Sequence, residues 1–420
     1  MTSNLDMTLE RRWSFYSFFL LFQALYSLHP WFLWWLPGKM AVIIFFLVHT
    51  YFLLTSPLWC FNDGKRIGAA LILVVLLQYQ SAGSSLNFHI QKLMEAVALL
   101  PLVFLMPRFQ MDLLEKFQKV MTFILTLSLV FWAGHLVGLD LPSREVTFGT
   151  VERSGIVESQ YYFSNHFLYL VNNGWQYRAW GVAPVYMRFC SVFLEPGYLA
   201  VLMVFFLFIN RFNFRERRNI VYLLTIVATV SLAGFLMGII AFIASSAQNS
   251  KHGLFGIVAL VVLLLAGAEF FRNYQGGNNF INTGIIRRLE IDQSTGNIAG
   301  YNRTSESFDN RFDQFLKSRD VVFGIGREGM DREFGDAANV GYKVYMMTYG
   351  ALALVLFLAF LFFIARTGGN YRSYVLLLLY IIMFMRGHHT MYYFAFLLVY
   401  ACGVSDSRYR DEYPVYYTHD

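Results

Sequence analysis

The segment IVYLLTIVATVSLAGFLMGIIAFIASS, residues 220–246, is almost wholly apolar and is interrupted near its middle by Ser231-Leu-Ala-Gly234. About 20 mainly apolar residues cross a bilayer as one helix, so the segment reads either as one long crossing or as two short elements. The choice sets the side of everything after it. Other apolar runs lie near 13–29, 40–56, 67–80, 93–106, 120–138, 191–210, 254–268, 344–365, 373–386 and 391–404. If 220–246 crosses once and Arg211, Arg215, Arg217 and Arg218 are cytoplasmic, residues 269–343 fall inside and Arg366 and Arg372 outside. The preference of Lys and Arg for the cytoplasmic side opposes that. Two short tilted helices, or a re-entrant hairpin, return the chain to the side it left. Arg11, Arg12, Lys65, Arg66, Arg108, Lys116, Lys119, Lys251, Arg366, Arg372, Arg408 and Arg410 then join the cytoplasmic set, against Lys39, Lys92 and Arg386 in short outer loops.

The fold expected is therefore all-α, a single polytopic membrane domain over residues 1–420 with about 12 transmembrane segments. Composition supports the class: 57% of residues are hydrophobic and 18% aromatic, with only 14% charged. A soluble domain carries roughly 25% charged residues. The net charge of +6 sits in short loops between apolar runs, which is the pattern of topology signals rather than of a nucleic-acid surface. Cys60, Cys190 and Cys402 fall in different segments without a C-x-x-C spacing, so they suggest neither a disulfide framework nor a zinc site. Arg11 and Arg12 precede an aromatic run from Trp13 to Leu28 that lacks a small-residue cleavage pattern, and this reads as a retained first helix.

Two polar stretches, 140–190 and 269–343, are the only loops long enough to hold a site, and both fall outside the cytoplasm in this topology. The first holds four basic and four acidic residues, the second ten and eleven. Both are rich in aromatic and amide side chains, as in Tyr161-Tyr162, Asn172-Asn173-Gly174-Trp175 and Gly276-Gly277-Asn278-Asn279. Aromatic faces and fixed hydrogen-bond groups suit sugar rings. Ordinary loop composition accounts for them equally well.

A sharper signal is Arg188-Phe-Cys-Ser191-Val-Phe-Leu-Glu195-Pro196-Gly197-Tyr198, at the outer start of the run 191–210. Helical spacing places Arg188, Ser191, Glu195 and Tyr198 on one face. Pro196 has no N–H and clashes with the preceding turn, so a helix here kinks or restarts. Arg188 and Glu195 could simply neutralise each other, yet an ionisable group at membrane depth is by default a functional candidate.

The ordered set Arg-x-x-Ser-x-Phe-x-Glu-Pro at 188–196, then Asn310-Arg311, Gly324-Ile325-Gly326 and Tyr349-Gly350, resembles the O-antigen polymerase and ligase family of polytopic membrane glycosyltransferases. The resemblance covers roughly residues 185–365. It implies a GT-C-like membrane fold in the bacterial inner membrane, with the active site facing the periplasm. The ligase branch carries a His-Asn pair a fixed distance before the glycine of the following span. Counting back from Gly350, Asn339 and Val340 stand there instead, which favours the polymerase branch.

The chemistry implied is transfer of a sugar chain from undecaprenyl pyrophosphate to a hydroxyl of another lipid-linked repeat unit, with neither metal nor other cofactor. Partners implied are these lipid-linked donors and acceptors, membrane lipid and a chain-length regulator protein, with no nucleic acid. A pyrophosphate leaving group needs fixed cations, and the guanidinium fork binds phosphate bidentately while staying charged. The catalytic candidates are Arg188, Arg311, Glu195, His388 and His389, the last three as possible bases for the acceptor hydroxyl. Substrate-binding candidates are Arg178, Ser191, Tyr198, Arg303, Asn310, Arg327, Asn339, Tyr342 and Arg386.

Competing motifs are weaker. Gly324-x-Gly326-x-x-Gly329 matches a dinucleotide fingerprint but lacks a strand-helix-strand context. His388-His389 are adjacent, so they do not converge on one helix face as metal ligands do. Asn302-Arg-Thr304 is a glycosylation sequon of a kind that many chains carry by chance. A lipid-linked oligosaccharide flippase would also show about twelve helices, but would be expected to carry internal repeats, and none is evident.

Overall fold

The computed structural model describes residues 2–139, 141–148, 152–153, 156–157, 161–172, 188–247, 266–277, 279, 282, 286–287, 290, 306–334, 341–387 and 393–412. Among these residues the structure is mostly helical, and three helices are long and apolar enough to cross a membrane: Gly38–Thr55, Pro107–Leu136 and Gly341–Gly368. The chain divides into two compact units, the first comprising Met1–Leu28, Trp35–Phe117 and Arg303–Asp420, the second His29–Trp34 and Gln118–Asn302.

The first unit contains α1 (Thr2–Ser27), α2 (Gly38–Thr55), α3 (Gly64–Gln80), α4 (Leu86–Phe104) and the first turns of α5 (Pro107–Leu136). Its core carries a polar thread as well as apolar packing. Buried His49 bonds the Tyr16 hydroxyl through Nδ1 at 2.8 Å and Gln23 Oε1 through Nε2 at 2.6 Å. Buried polar groups are tolerated when paired in this way. Arg66, read from sequence as a topology signal, is only 5% exposed and donates to the carbonyls of Val103 and Leu105 at 2.9 and 2.6 Å. It thereby satisfies carbonyls at the end of α4 that have no intrahelical partner. α3 also packs closely on a later helix at Gly68, where a Cβ would lie 2.9 Å from the Phe363 ring.

In the second unit the run 220–246 is two helices, α7 (Arg217–Thr229) and α8 (Leu232–Ala247), as the charge argument expected. The break falls at Val230, which takes the left-handed conformation (φ 46°, ψ 46°), and the Ser231 hydroxyl accepts from the Gly234 amide to start α8. Both pack on α6 (Pro196–Ile209), which is apolar and buried on nearly every side, as expected of a central helix. Gly234 allows α8 to approach α6, since a Cβ there would lie about 2.6 Å from Ala200 Cβ.

The first long loop holds strands that sequence reading did not anticipate. β1 (Arg144–Phe148), β4 (Tyr161–Asn165) and β5 (Leu170–Asn172) form an antiparallel sheet in the order β1-β4-β5, with Arg144 opposite Asn165 and Asn165 opposite Leu170. β2 (Glu152–Arg153) and β3 (Ile156–Val157) make a separate short hairpin. Phe163, Leu170 and Cys190 form a small core with Trp31 and Trp34 packed against it.

The second long loop contributes α9 (Glu306–Leu316) and α10 (Gly326–Phe334) to the first unit, ahead of α11 (Gly341–Gly368), α12 (Tyr371–Arg386) and α13 (Phe394–Glu412). The run expected at 254–268 lies, except for its last three residues, outside the described residues.

Candidate functional site

In the first unit three of the four motifs come together: Asn310-Arg311, Gly324-Ile325-Gly326 and Tyr349-Gly350. α9 is amphipathic, with Phe308, Phe312 and Phe315 at helical spacing and buried with Met330, Val344 and Met347. That leaves Asn310 and Arg311 on its exposed face, where Arg311 Nη1 donates to Gln314 Oε1 at 3.1 Å. Lys343 bonds Asp309 at 2.7 Å and lies over the Phe312 ring, locking α9 to the start of α11. Tyr342 meets Phe312 edge-on, so its ring serves this packing. Arg327, exposed on α10, stands 5.2 Å from the centre of the Phe88 ring.

Between α9 and α10 the segment Val322–Ile325 crosses α11 where that helix breaks. Gly350 has φ 78° and ψ 173°, far from helical values. The amide of Ile325 donates to Met347 O at 2.7 Å and the amide of Leu352 donates to Val322 O at 3.2 Å. The crossing chain thus takes up backbone groups that the break would otherwise leave unpaired. Contact is direct: a Cβ at Gly324 would strike the Thr348 carbonyl and lie 2.7 Å from the Gly350 amide, and one at Gly350 would strike the Val322 carbonyl. α3 braces both strands of the joint, since Tyr79 donates to Phe323 O at 3.3 Å and Gln80 donates to the Tyr345 hydroxyl at 2.8 Å.

In the second unit the motif at 188–198 departs from expectation. It is not one helical stripe: residues 188–194 are extended or turning, Ser191 is left-handed (φ 56°), and α6 begins only at Pro196. The reason is Pro196, whose missing N–H and fixed φ suit the first position of a helix and not its interior. Glu195 is the N-cap, accepting from the Gly197 amide at 3.3 Å, where a carboxylate meets the positive helix end. Arg188 Nε donates to Thr229 O at 2.8 Å, and the Phe189 amide donates to Ala228 O at 3.0 Å. These contacts satisfy the last carbonyls of α7 and place a cation at its negative end. Ser191 is fully buried and its hydroxyl bonds Ser128 at 2.7 Å, while Tyr198 is half-buried on the first turn of α6. Burial, then the nearby charge of Glu195, pushes the Cys190 thiol up to about 12, which leaves it un-ionised at neutral pH.

One cluster escaped sequence reading. His166 and Tyr169 stack with ring centres 4.7 Å apart, and His135, from the end of α5, meets His166 at 5.0 Å and Tyr169 at 5.9 Å. Tyr169 is fully buried, and burial pushes its hydroxyl up to about 12. Among the described residues neither the Tyr169 hydroxyl nor His135 Nδ1 has a hydrogen-bond partner. No spacing rule links residue 135 to 166. Only the fold of the first loop brings them together.

Arg178, Arg303, Asn339, His388 and His389 lie outside the described residues. Arg386 is the last residue of α12, and its side chain is likewise outside them. No family model, no curated protein and no solved structure matches the chain.

Proposed function

We propose that this chain is a glycosyltransferase that polymerises undecaprenyl-pyrophosphate-linked oligosaccharide repeat units on the periplasmic side of the bacterial inner membrane, through about twelve transmembrane segments. The observation that carries the reading is the joint between Gly324 and Gly350, because two short motifs of the resemblance, each weak alone, are one structural element. In the reaction the bond from the donor's anomeric carbon to the pyrophosphate oxygen breaks, and that oxygen keeps the electron pair. The acceptor hydroxyl oxygen bonds to the anomeric carbon, and its proton passes to a base.

Arg311 is the foremost cation for the departing pyrophosphate, since α9 holds it exposed on a helix whose other face is fixed by three buried phenylalanines. Arg327 is a second. Arg188 and Glu195 have structural work at the ends of α7 and α6, so any role in transfer is carried from those fixed positions. Asn339 in place of the ligase histidine supports polymerisation over ligation. Purified protein supplied with lipid-linked repeat units should yield longer lipid-linked chains and free undecaprenyl pyrophosphate. Recovery of unchanged single units from a preparation that elutes as folded protein would contradict the proposal.

A further inference from the structure

α1 and α2 leave a groove of about 530 Å³ along one side of the first unit, within the roughly 300–1,000 Å³ range of ligand-binding clefts. At one end stand Arg11 and Arg12, both exposed. Arg12 Nη1 donates to Thr55 O at 2.8 Å, which fixes that guanidinium beside the last carbonyl of α2. Apart from Thr55 and the Tyr51 hydroxyl, the rest of the wall is hydrocarbon and aromatic ring, with Phe15, Leu47 and Tyr51 respectively 63%, 59% and 57% exposed. Among the described residues no carboxylate lines the groove.

Such a surface is stable only in an apolar medium, and α2 is among the helices long and apolar enough to cross a membrane. Two cations at one end of a groove otherwise apolar call for a ligand with an anionic head and an apolar tail. Guanidinium groups bind phosphate oxygens bidentately. We infer that the groove is a binding site for an anionic phospholipid, with the phosphate on Arg11 and Arg12 and an acyl chain between Phe15 and Leu47. Arginines that merely anchor a helix end at the membrane surface also favour anionic lipid. Loss of binding when the apolar part alone is filled, with both arginines kept, is therefore the decisive property.

The test uses the full chain purified in detergent and mixed with equal amounts of phosphatidylglycerol and phosphatidylcholine, with retained lipid read by native mass spectrometry. Phosphatidylglycerol should be retained in preference, and R11Q/R12Q should lower that retention by about fivefold per arginine removed, from about 1 kcal/mol per basic residue. Leu47→Trp, which fills the apolar part and leaves both arginines, should lower it too. Leu47→Trp and Arg11→Gln alone decide the matter if the double variant does not elute as folded protein. Equal retention of the two lipids, or unchanged retention in the variants, overturns the site. A change in oligomeric state in the variants without loss of lipid also overturns it, because the groove would then be a surface between two copies.

Discussion

Gly324 and Gly350 sit on the two sides of one backbone crossing: a Cβ on Gly324 would strike the Thr348 carbonyl and lie 2.7 Å from the Gly350 amide, and a Cβ on Gly350 would strike Val322 and Phe323 beside Gly324. Both have positive φ, 80° and 78°, so each position excludes a side chain by conformation as well as by space. The joint locks the crossing segment Val322–Ile325 into the break of α11 and sets where α9 presents Arg311.

Gly324→Ala and Gly350→Ala should therefore each destabilise the protein by about 3 kcal/mol or more, through collision with backbone that cannot yield. Gly326→Ala is the control. It shares a positive φ of 75° but has open space around it, so it should cost only about 1 kcal/mol. Thermal unfolding of the three variants in detergent checks the order. Equal effects at all three positions would remove the steric account of the joint.

Arg311 lies on the exposed face of α9, away from the buried phenylalanines, so Arg311→Ala should leave the melting temperature within a degree or two. Turnover should fall by about 100-fold or more, from loss of charge-assisted bonds worth about 1.5–3 kcal/mol each. Arg311→Lys should fail nearly as badly, because an ammonium cannot form the bidentate fork. Full activity with lysine would reduce Arg311 to a point charge.

Glu195 caps α6, and the cap separates two roles. Glu195→Asp keeps a good N-cap acceptor, whereas Glu195→Gln keeps the shape and removes both charge and proton acceptance. Loss of the charge at the helix end should cost about 0.3–1 kcal/mol of stability. If Glu195 also serves as base, Glu195→Gln should lose about 100-fold or more in turnover with substrate still bound. Near-normal turnover would leave Glu195 as a cap alone.

Most helices were legible in the sequence because hydrocarbon runs of sufficient length have few alternatives. The break in 220–246 was legible from charge parity, although the residue that turns is Val230, one before the predicted Ser231. The stripe through Arg188 and Glu195 was misread because helical spacing assumes a helix, and Pro196 starts one instead of continuing it. The sheet of the first loop was not legible, since its strands are three to five residues long and pair across a sequence gap, as Arg144 does with Asn165. Contact between Gly324 and Gly350 is likewise non-local; the sequence offered two motifs and no sign that they touch.

Among the described residues the buried Tyr169 hydroxyl has no hydrogen-bond partner, so Tyr169→Phe should leave stability unchanged or raise it slightly. The sign of its pH dependence follows from the raised value. A phenol at about 12 in the fold and about 10 when unfolded contributes stability that is fully present below pH 10 and lost as pH rises towards 12. Alkaline unfolding should therefore shift to higher pH in Tyr169→Phe. A large loss of stability near neutral pH would mean that the hydroxyl holds structure together.

Whether the chain joins repeat units to one another is read from the size distribution of surface glycan in a deletion strain. A polymerase acts before transfer to the final acceptor, so its loss should leave acceptor bearing a single repeat unit and no ladder of longer chains, and the ladder should return with the wild-type protein but not with Arg311→Ala. Complete absence of decorated acceptor, with long chains retained on the lipid carrier, would contradict the account and assign the chain to ligation.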